Sequence, residues 1–402
     1  MSSNKNLSRR GFIAMSSLAG TGLLLSGNPL AAQSLHAEPS PVESASDKKF
    51  KIGIIGCGNR SKALIGALNH VPEFEIAALC DIVPHKTQQR AQLIKTGAKP
   101  VHVSRLEELL HIADLDAIVV VTPNDTHKEI VITSLEAGKH VFCEKPLALT
   151  VADCNDIIGV VDRTRRSLQI GHQRRHSPVY KNLVEVIRTK PVGKILQSSL
   201  YDYRGDWWVP EADEYPADTP YWRLDQKRSG GVVYEMGAHI IDVNNWIFDS
   251  EPVSVSSLQG VNNFSLRKRD SADHAGVLVQ YANGSLLNYG GNLYNYGSTA
   301  FDTFFGVNGT VQVGNGNIYI RYGFPNGFPR PANLPQPETI SLTGNNPESD
   351  GVVEQFNYFV KVIDGKEKAF PDAFISRQSV QIMEASVRSA QERRVIDVRE
   401  LG

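Results

Sequence analysis

The stretch Phe50-Lys51-Ile52-Gly53-Ile54-Ile55 runs straight into Gly56-Cys57-Gly58-Asn59-Arg60-Ser61. A segment with apolar Ala63, Leu64, Ala67 and Leu68 at helical spacing follows, and a second apolar run, Glu75 to Cys80, stops at Asp81. Strand, glycine turn, helix, strand and acid in this order commit the chain to a parallel βαβ unit that binds a dinucleotide. The glycines let the backbone approach a pyrophosphate, and the helix N-terminus favours its charge. Gly56, Cys57, Gly58, Asn59 and Arg60 are therefore candidate cofactor contacts. Asp81 would accept hydrogen bonds from ribose hydroxyls and repel a 2′-phosphate, which favours NAD over NADP. Ser61 departs from the pattern, which wants Gly or Ala there, but it is small enough for close helix–strand packing.

The alternation continues. Helical segments are expected at 86–95 and from Leu106 to Ile112, and a buried strand at Asp116–Val121. That strand ends in Thr122-Pro123-Asn124-Asp125-Thr126-His127, where Pro123 suits the first turn of a helix reaching about Ala137. Gly138 then stops the helix, and the next apolar run, His140-Val141-Phe142-Cys143, ends abruptly in Glu144-Lys145-Pro146. Ligands of open α/β sheets lie outside the carboxyl ends of the strands. Thr122, Pro123, Asn124, His127, Glu144 and Lys145 are thus expected to face one cleft. The plainer alternatives are a helix-surface His127 and a strand-end salt bridge between Glu144 and Lys145. Thr150 caps a further helix through Val161, with Arg163, Arg165 and Arg166 at its C-terminal end. A last strand, Leu168 to His172, delivers His172 and Arg174, which either touch cofactor or substrate or tie two domains together.

After His172 strands cluster: Lys194–Tyr203, Pro252–Val261, His274–Tyr281, Ser285–Leu293, Thr303–Val307, Thr310–Val313 and Ile318–Tyr322. Asn-Gly pairs at 283–284 and 308–309 mark hairpins. The fold class is α/β: a doubly wound parallel sheet followed by an α+β domain with a large, mostly antiparallel, open-faced sheet. The loop 205–230 carries Trp207, Trp208, Tyr215, Tyr221 and Trp222, aromatics that suit stacking on a sugar ring or anchor the loop. Residues 323–350 read as irregular, and two amphipathic helices, 351–363 and 375–393, close the chain.

The N-terminus reads differently. Ser8-Arg9-Arg10-Gly11-Phe12-Ile13 and the mild, uncharged run to Leu30 form a twin-arginine secretory leader rather than a membrane anchor. Cleavage is expected near Ala31, Ala32 or Ala37, with a polar linker carrying Pro39 and Pro41 beyond it. This predicts export of the folded chain to the periplasm by the twin-arginine machinery, a route that suits a protein loaded with its cofactor in the cytoplasm. With 42 basic and 43 acidic side chains the chain offers no electrostatic case for nucleic-acid binding. Cys57, Cys80, Cys143 and Cys154 lack metal-site spacing, which argues against zinc and against a disulfide scaffold.

Taken together, Gly56-Cys57-Gly58, Thr122-Pro123-Asn124 with His127, Glu144-Lys145-Pro146, Gly171-His172-Gln173-Arg174, and Gly230-Gly231 through Glu235 and His239 to Trp246 resemble the Gfo/Idh/MocA family over roughly residues 50–395. The resemblance implies an NAD(P)-binding domain, a second domain whose open sheet mediates homo-oligomers, and substrate lying between them. It implies catalytic roles for Lys145, His239 and Glu235, the last one methylene longer than the family's Asp. Bottom-up chemistry agrees. Glu235 and His239 are four apart on one helix face, histidine suits the base that takes a hydroxyl proton, and a lysine beside the cofactor assists. A plain ion pair between Glu235 and His239 is the alternative. Asp242 and Trp246 read as supports. Tyr201 and Tyr203 share one strand face that borders the substrate in this family, and with Trp222 and His239 they make the expected substrate set.

The expected organisation is 1–48 leader and linker, 49–172 nucleotide domain, and 173–402 substrate-binding and oligomerisation domain, with helix 375–395 packing back on the first. The expected activity is hydride transfer between a sugar, glycoside or cyclitol hydroxyl and a retained nicotinamide, with no metal. The alternatives are an NAD-dependent glycosidase of the family 109 type and a non-catalytic sugar-binding relative.

Overall fold

A computed structural model describes residues 49–402 apart from 96, 206–220, 262–268, 300–301, 315, 324–332, 334 and 343–350, and gives the backbone alone at 296–299. The expected leader, Trp207, Trp208, Tyr215 and most of 323–350 lie outside the described residues.

The first sheet is built from β1 (Phe50–Ile55), β2 (Phe74–Cys80), β3 (Val101–Val103), β4 (Ala117–Val120), β5 (His140–Cys143) and β6 (Leu168–Ile170), in the order β3-β2-β1-β4-β5-β6. Every pairing is parallel. Its crossovers are α1 (Asn59–Leu68), α2 (Pro84–Ala91), α3 (Leu106–Leu110), α4 (His127–Glu136) and α5 (Val151–Thr164). β4 is fully buried along its length, as a parallel strand covered on both faces must be, which is why its sequence is a continuous apolar run. Strand order reverses between β1 and β4, so the loops after these two strands flank a crevice. Several expected boundaries move: α2 occupies Pro84–Ala91 where 86–95 was expected, and α3 ends at Leu110 and not Ile112. Asn124–Thr126 is a separate 3-10 turn ahead of α4, and Thr150 caps α5 by accepting from the Asp153 N–H, but the helix runs on to Thr164.

An amphipathic helix, α6 (Pro178–Thr189), stands where the sequence reading saw only the start of a strand-rich region. The second sheet then takes β7 (Ile195–Gly205), β8 (Pro252–Gly260), β9 (His274–Tyr281), β10 (Leu286–Asn292), β11 (Tyr294–Thr299), β12 (Asp302–Gly306), β13 (Gly309–Gly314), β14 (Asn317–Tyr322), β15 (Glu338–Ser341) and β16 (Ile396–Asp397). The order is β15-β14-β13-β12-β7-β10-β9-β8-β16, with β11 added against β7. It is mostly antiparallel, the exception being β7 with β10. Both Asn-Gly sites lie at hairpins, β9–β10 and β12–β13. The short strands β11, β15 and β16 escaped the sequence reading because they are brief or carry little apolar alternation.

Helices α7 (Gln226–Ser229) and α8 (Ala238–Phe248), a π-helical turn (Val233–Gly237) leading into α8, and α9 (Val352–Ile363) and α10 (Ala373–Glu392) complete the fold. One face of the second sheet is covered: Ser198 Oγ donates to Asn244 Oδ1 of α8, and the Ser257 N–H donates to Ser389 Oγ of α10. The other face leaves Leu258 79% and Leu278 58% exposed, beside Leu196, Leu286 and Phe305.

The packing crosses the expected boundary after His172. Phe356 and Phe359 of α9 sit against Phe142 of β5 and Phe74 of β2, with Phe142 and Phe356 ring centroids 4.7 Å apart. The last helix reaches α5: the Val151 N–H donates to Glu384 Oε2 at 2.6 Å, and Arg377 Nε donates to Asn155 Oδ1 at 2.6 Å. The C-terminal helices therefore pack against the first unit, α10 in the place where the sequence reading put helix 375–395 and α9 where it expected no such contact.

Candidate active site

The glycine turn has the conformation its sequence demands. Gly56 has φ +94°, and a Cβ there would lie 2.5 Å from the Val121 carbonyl oxygen, so only glycine fits. A Cβ at Gly58 would meet nothing within 4 Å, so the space over the start of α1 is open. The first turn of α1 has no side-chain cap and no acidic residue, which suits a negative charge at this end of the helix. The Asp81 carboxylate accepts from the Cys57 N–H at 2.7 Å and the Val83 N–H at 2.8 Å. It is thereby fixed at the end of β2 with lone pairs to spare. Ser61 is more than a tolerated small residue: its Oγ donates to the Gly58 carbonyl at 2.6 Å and accepts from Arg90 Nε at 3.1 Å. The arrangement fits a dinucleotide.

Several expected contacts turn out to be braces. The Cys57 thiol is buried and burial pushes it up to about 12, so this residue offers the site only its backbone. Arg60 Nε donates to Glu144 Oε1 at 2.8 Å and its Nη2 to Gln173 Oε1. This ties the glycine turn to the ends of β5 and β6. Glu144 therefore pairs with Arg60, and not with Lys145 as a strand-end salt bridge would require. The Thr126 hydroxyl donates to Thr122 Oγ1 and closes the turn around Pro123. Asn124 spends both amide hydrogens on the Ser229 carbonyl and Glu235 Oε1, at 2.9 and 2.8 Å, so it links the two halves of the molecule.

His127 is corrected outright. It lies neither on a helix surface nor in a cleft: it is 1% exposed, and its ring nitrogens sit 2.7 Å from the Pro146 carbonyl and 3.0 Å from the Thr122 carbonyl. It clamps the Glu-Lys-Pro loop, whose Lys145–Pro146 peptide is cis, onto the end of β4.

Lys145 meets Glu235, and His239 lies close enough to feel the lysine's charge. Lys145 Nζ donates to the backbone carbonyl of Glu235 at 2.9 Å. The Glu235 carboxylate is buried and accepts from Arg223 Nε and Asn124 Nδ2, both at 2.8 Å. The alternative of an ion pair with His239 is thus overturned, because the carboxylate is committed elsewhere. Burial alone would raise the Glu235 carboxyl, but Lys145, Arg223 and the two hydrogen bonds outweigh it and hold the group below the usual range. Burial pushes Lys145 below the usual lysine value; Glu235 and Glu144 oppose this, and Arg223 and Arg60 add to it. Burial likewise takes His239 well below the usual value, helped by the charges of Lys145 and Arg174, so its imidazole is neutral at pH 7. Its Nδ1 is buried without a hydrogen-bond partner.

Both ring nitrogens of His172 are buried without partners, with Asp242 Oδ2 3.8 Å from Nδ1. The Arg174 guanidinium lies over the Tyr180 ring at 4.9 Å. The expected substrate set needs revision. Tyr201 and Tyr203 do share a face and pack together, with centroids 5.5 Å apart. But they alternate with the buried Leu200 and Asp202, and Ser198 of that inner set meets α8. The two tyrosines therefore face the uncovered side of the sheet, away from the helix carrying His239. On the inner side, beside Tyr281 and Phe304, lies Tyr289, fully buried against Gly237 with an unpartnered hydroxyl. Trp222 is buried under the Arg223 guanidinium at 4.7 Å, which makes it an anchor.

Sequence reasoning missed Arg90, Gln173, Arg175, Arg223 and Tyr289. Arg175 adjoins Arg174 and Arg223 adjoins Trp222, so proximity to named motifs was the one signal in reach.

The buried histidines set a pH dependence. Burial depresses His127, His172, His239 and His140, and takes His176 down to about 4. Such groups bind protons more readily in the unfolded chain, so stability is complete above the unfolded value near 6.5 and is lost as pH falls from there toward 4, by at most about 1.4 kcal/mol per pH unit for each histidine. Asp302, raised to about 6 by burial, and Glu384, also raised by burial, work in the opposite direction but are two groups against these five histidines. Thermal melting between pH 7.5 and 4.5 should show a steady fall in Tm. A flat profile would contradict the buried, neutral assignment.

A six-stranded parallel sheet with a glycine turn at its switch point and an acid after β2 defines a dinucleotide-binding Rossmann domain. Residues 50–172 match the family model described as "Oxidoreductase family, NAD-binding Rossmann fold", and 180–312 match the "GFO/IDH/MocA C-terminal domain". These two models of one family together span more than half of the chain, and the chain belongs to the Gfo/Idh/MocA family. It is 30% identical over 207 residues to an inositol 2-dehydrogenase/D-chiro-inositol 3-dehydrogenase of Lactiplantibacillus plantarum, covering 51% of this chain and 54% of that protein. It is 26% identical over 299 residues to a glycosyl hydrolase family 109 protein of Shewanella pealeana, covering 70% of this chain and 65% of that one. The matches thus span about half to two thirds of these relatives' lengths. Among solved structures, the WlbA dehydrogenase from Bordetella pertussis in complex with NADH and UDP-GlcNAcA shares the fold at TM-score 0.69 and 22% identity, covering 87% of this chain and 99% of that one.

Proposed function

We propose that this chain is an exported, NAD-dependent oxidoreductase that moves hydride between a secondary hydroxyl of a sugar, glycoside or cyclitol and a retained nicotinamide. The observation that carries the reading is the meeting of Lys145 with Glu235 across the two sheets, with His239 near them, beside the strand ends that flank the glycine turn. A bound nicotinamide would supply the hydride acceptor. Gly56, Gly58 and the start of α1 would hold its pyrophosphate, and Asp81 the adenine-side ribose, favouring NAD over NADP. His239, neutral at pH 7, takes the hydroxyl proton as the carbon gives up hydride and becomes a carbonyl. Lys145 donates a hydrogen bond to the same oxygen. The Glu235 carboxylate acts through position: it joins Arg223 and Asn124 and fixes the turn whose carbonyl holds Lys145.

Ser8-Arg9-Arg10 and the mild apolar run after it support export to the periplasm by the twin-arginine machinery. The uncovered leucines of the second sheet support homo-oligomers through that face. The family 109 relative supports a second reading, in which oxidation is transient, a glycoside is eliminated and the hydride returns.

The test is to denature purified protein and look for released nucleotide, then to assay sugars, glycosides and cyclitols by mass spectrometry. Keto-product or net NADH is expected. Leaving-group release from an aryl glycoside without net NADH would establish the second reading instead. A protein that neither holds nor binds nucleotide would overturn both.

A further inference from the structure

We propose that Arg223 is a positioning residue that sets the acidity of Lys145: by holding the Glu235 carboxylate it leaves the lysine a neutral carbonyl as partner in place of an anion. This rests on the reading of Lys145 as a group that handles the substrate oxygen.

Glu235 presents two kinds of oxygen to its surroundings. The side chain is gripped by Arg223 Nε at 2.8 Å and Asn124 Nδ2 at 2.8 Å, while the backbone carbonyl accepts from Lys145 Nζ at 2.9 Å. That carbonyl lies in the π-helical turn Val233–Gly237, and such turns shift the backbone pairing and recur at functional sites. Arg223 is itself fixed, with Nη1 donating to the Tyr221 hydroxyl at 2.8 Å and its guanidinium over Trp222. The groups whose charge bears on Lys145 come from every side: Arg60 of α1, His127 of α4, Glu144 of its own loop, His172 after β6, Arg223 just ahead of α7, Glu235 of the π-turn and His239 of α8. The acids among them are Glu144 and Glu235, and each has its own guanidinium, Arg60 and Arg223 respectively.

Without Arg223, a carboxylate that is 5% exposed keeps its charge but loses its counter-ion, and Lys145 is the cation left beside it. The lysine then holds its proton more tightly and donates it less readily.

The experiment titrates Lys145 in the full-length, nucleotide-free chain by acetic anhydride labelling across a pH series, with the Lys145 peptide quantified by mass spectrometry. In Arg223→Gln the labelling midpoint should rise by about one pH unit or more, roughly tenfold less free amine at a given pH. The double variant Arg223→Gln/Glu235→Gln should return it to the wild-type value or below, and the pH profile of kcat/KM should move with it. An unmoved midpoint in a folded Arg223→Gln protein overturns the proposal, as does a rise that Glu235→Gln fails to reverse. Should Arg223→Gln not fold by thermal melting, Glu235→Gln alone decides: an unopposed Arg223 must lower the midpoint, and no change or a rise refutes the idea. Labelling needs no substrate, so failure to find an active sugar would count against the functional reading without touching this one.

Discussion

Replacing Lys145 by alanine should lower turnover by at least about 10²-fold, the scale expected for a group that assists proton movement at the reacting oxygen. His239→Ala should cost at least as much. Both side chains converge from different sheets, Lys145 from the end of β5 and His239 from the first turn of α8, so neither loss can be covered by the other's backbone. Lys145→Ala also leaves the Glu235 carbonyl without its 2.9 Å donor, a local cost that thermal melting would register separately from kinetics. The decisive readout is kcat for both variants on whichever substrate gives keto-product, with melting curves as the control for folding. Full activity in both would remove the acid–base assignment and favour a sugar-binding relative that does no chemistry.

The largest effect on stability is expected at Asp242. Arg175 Nε donates to both of its carboxylate oxygens, at 3.0 and 2.9 Å, and Nη2 donates to its backbone carbonyl. Neither residue is appreciably exposed, at 4% for Arg175 and 0% for Asp242. The guanidinium also lies 5.5 Å from the ring centroids of Trp246 and Phe370, so its flanks are apolar and water cannot replace the carboxylate. Asp242→Ala would strand a desolvated cation, at a cost of about 3–5 kcal/mol. At the unfolding entropy of a unit this size this is a fall in Tm of about 4–7 °C. Calorimetry or a fluorescence melt measures it. The double variant Arg175→Met/Asp242→Leu should recover much of the loss, because the penalty is the unpaired charge and not the volume. A drop in Asp242→Ala of under about 1 kcal/mol would mean the pair is more hydrated than its burial implies.

The fold was largely legible because its signals are local. Alternating and continuous apolar runs give strands, Gly56 and Gly58 give the turn, Thr150 gives a cap, and Asn283-Gly284 gives a hairpin. Each depends on neighbours a few residues apart, and a single chain displays them. The strand-end rule also brought Thr122, Glu144 and Lys145 to one side of the molecule before any coordinate was known.

What the side chains do there was decided by tertiary contacts between distant segments. Asn124 meets Ser229 and Glu235 across more than a hundred residues, Arg60 meets Glu144 across 84, and Phe356 fills the first sheet's core from the far end of the chain. One sequence carries no record of such pairings. His127 shows the consequence: its position at a strand end suggested a ligand contact, but two carbonyls had already claimed its nitrogens. Tyr201 and Tyr203 show it again, since period-two alternation fixes that they share a face but not which face the helices cover. Local sequence signals were enough for a dinucleotide turn, a parallel sheet and the residue types gathered at its edge. Tertiary packing settled which of those residues brace one another, and it brought Lys145 onto the Glu235 carbonyl near His239. The reason is that burial and hydrogen-bond partners are properties of the packed chain.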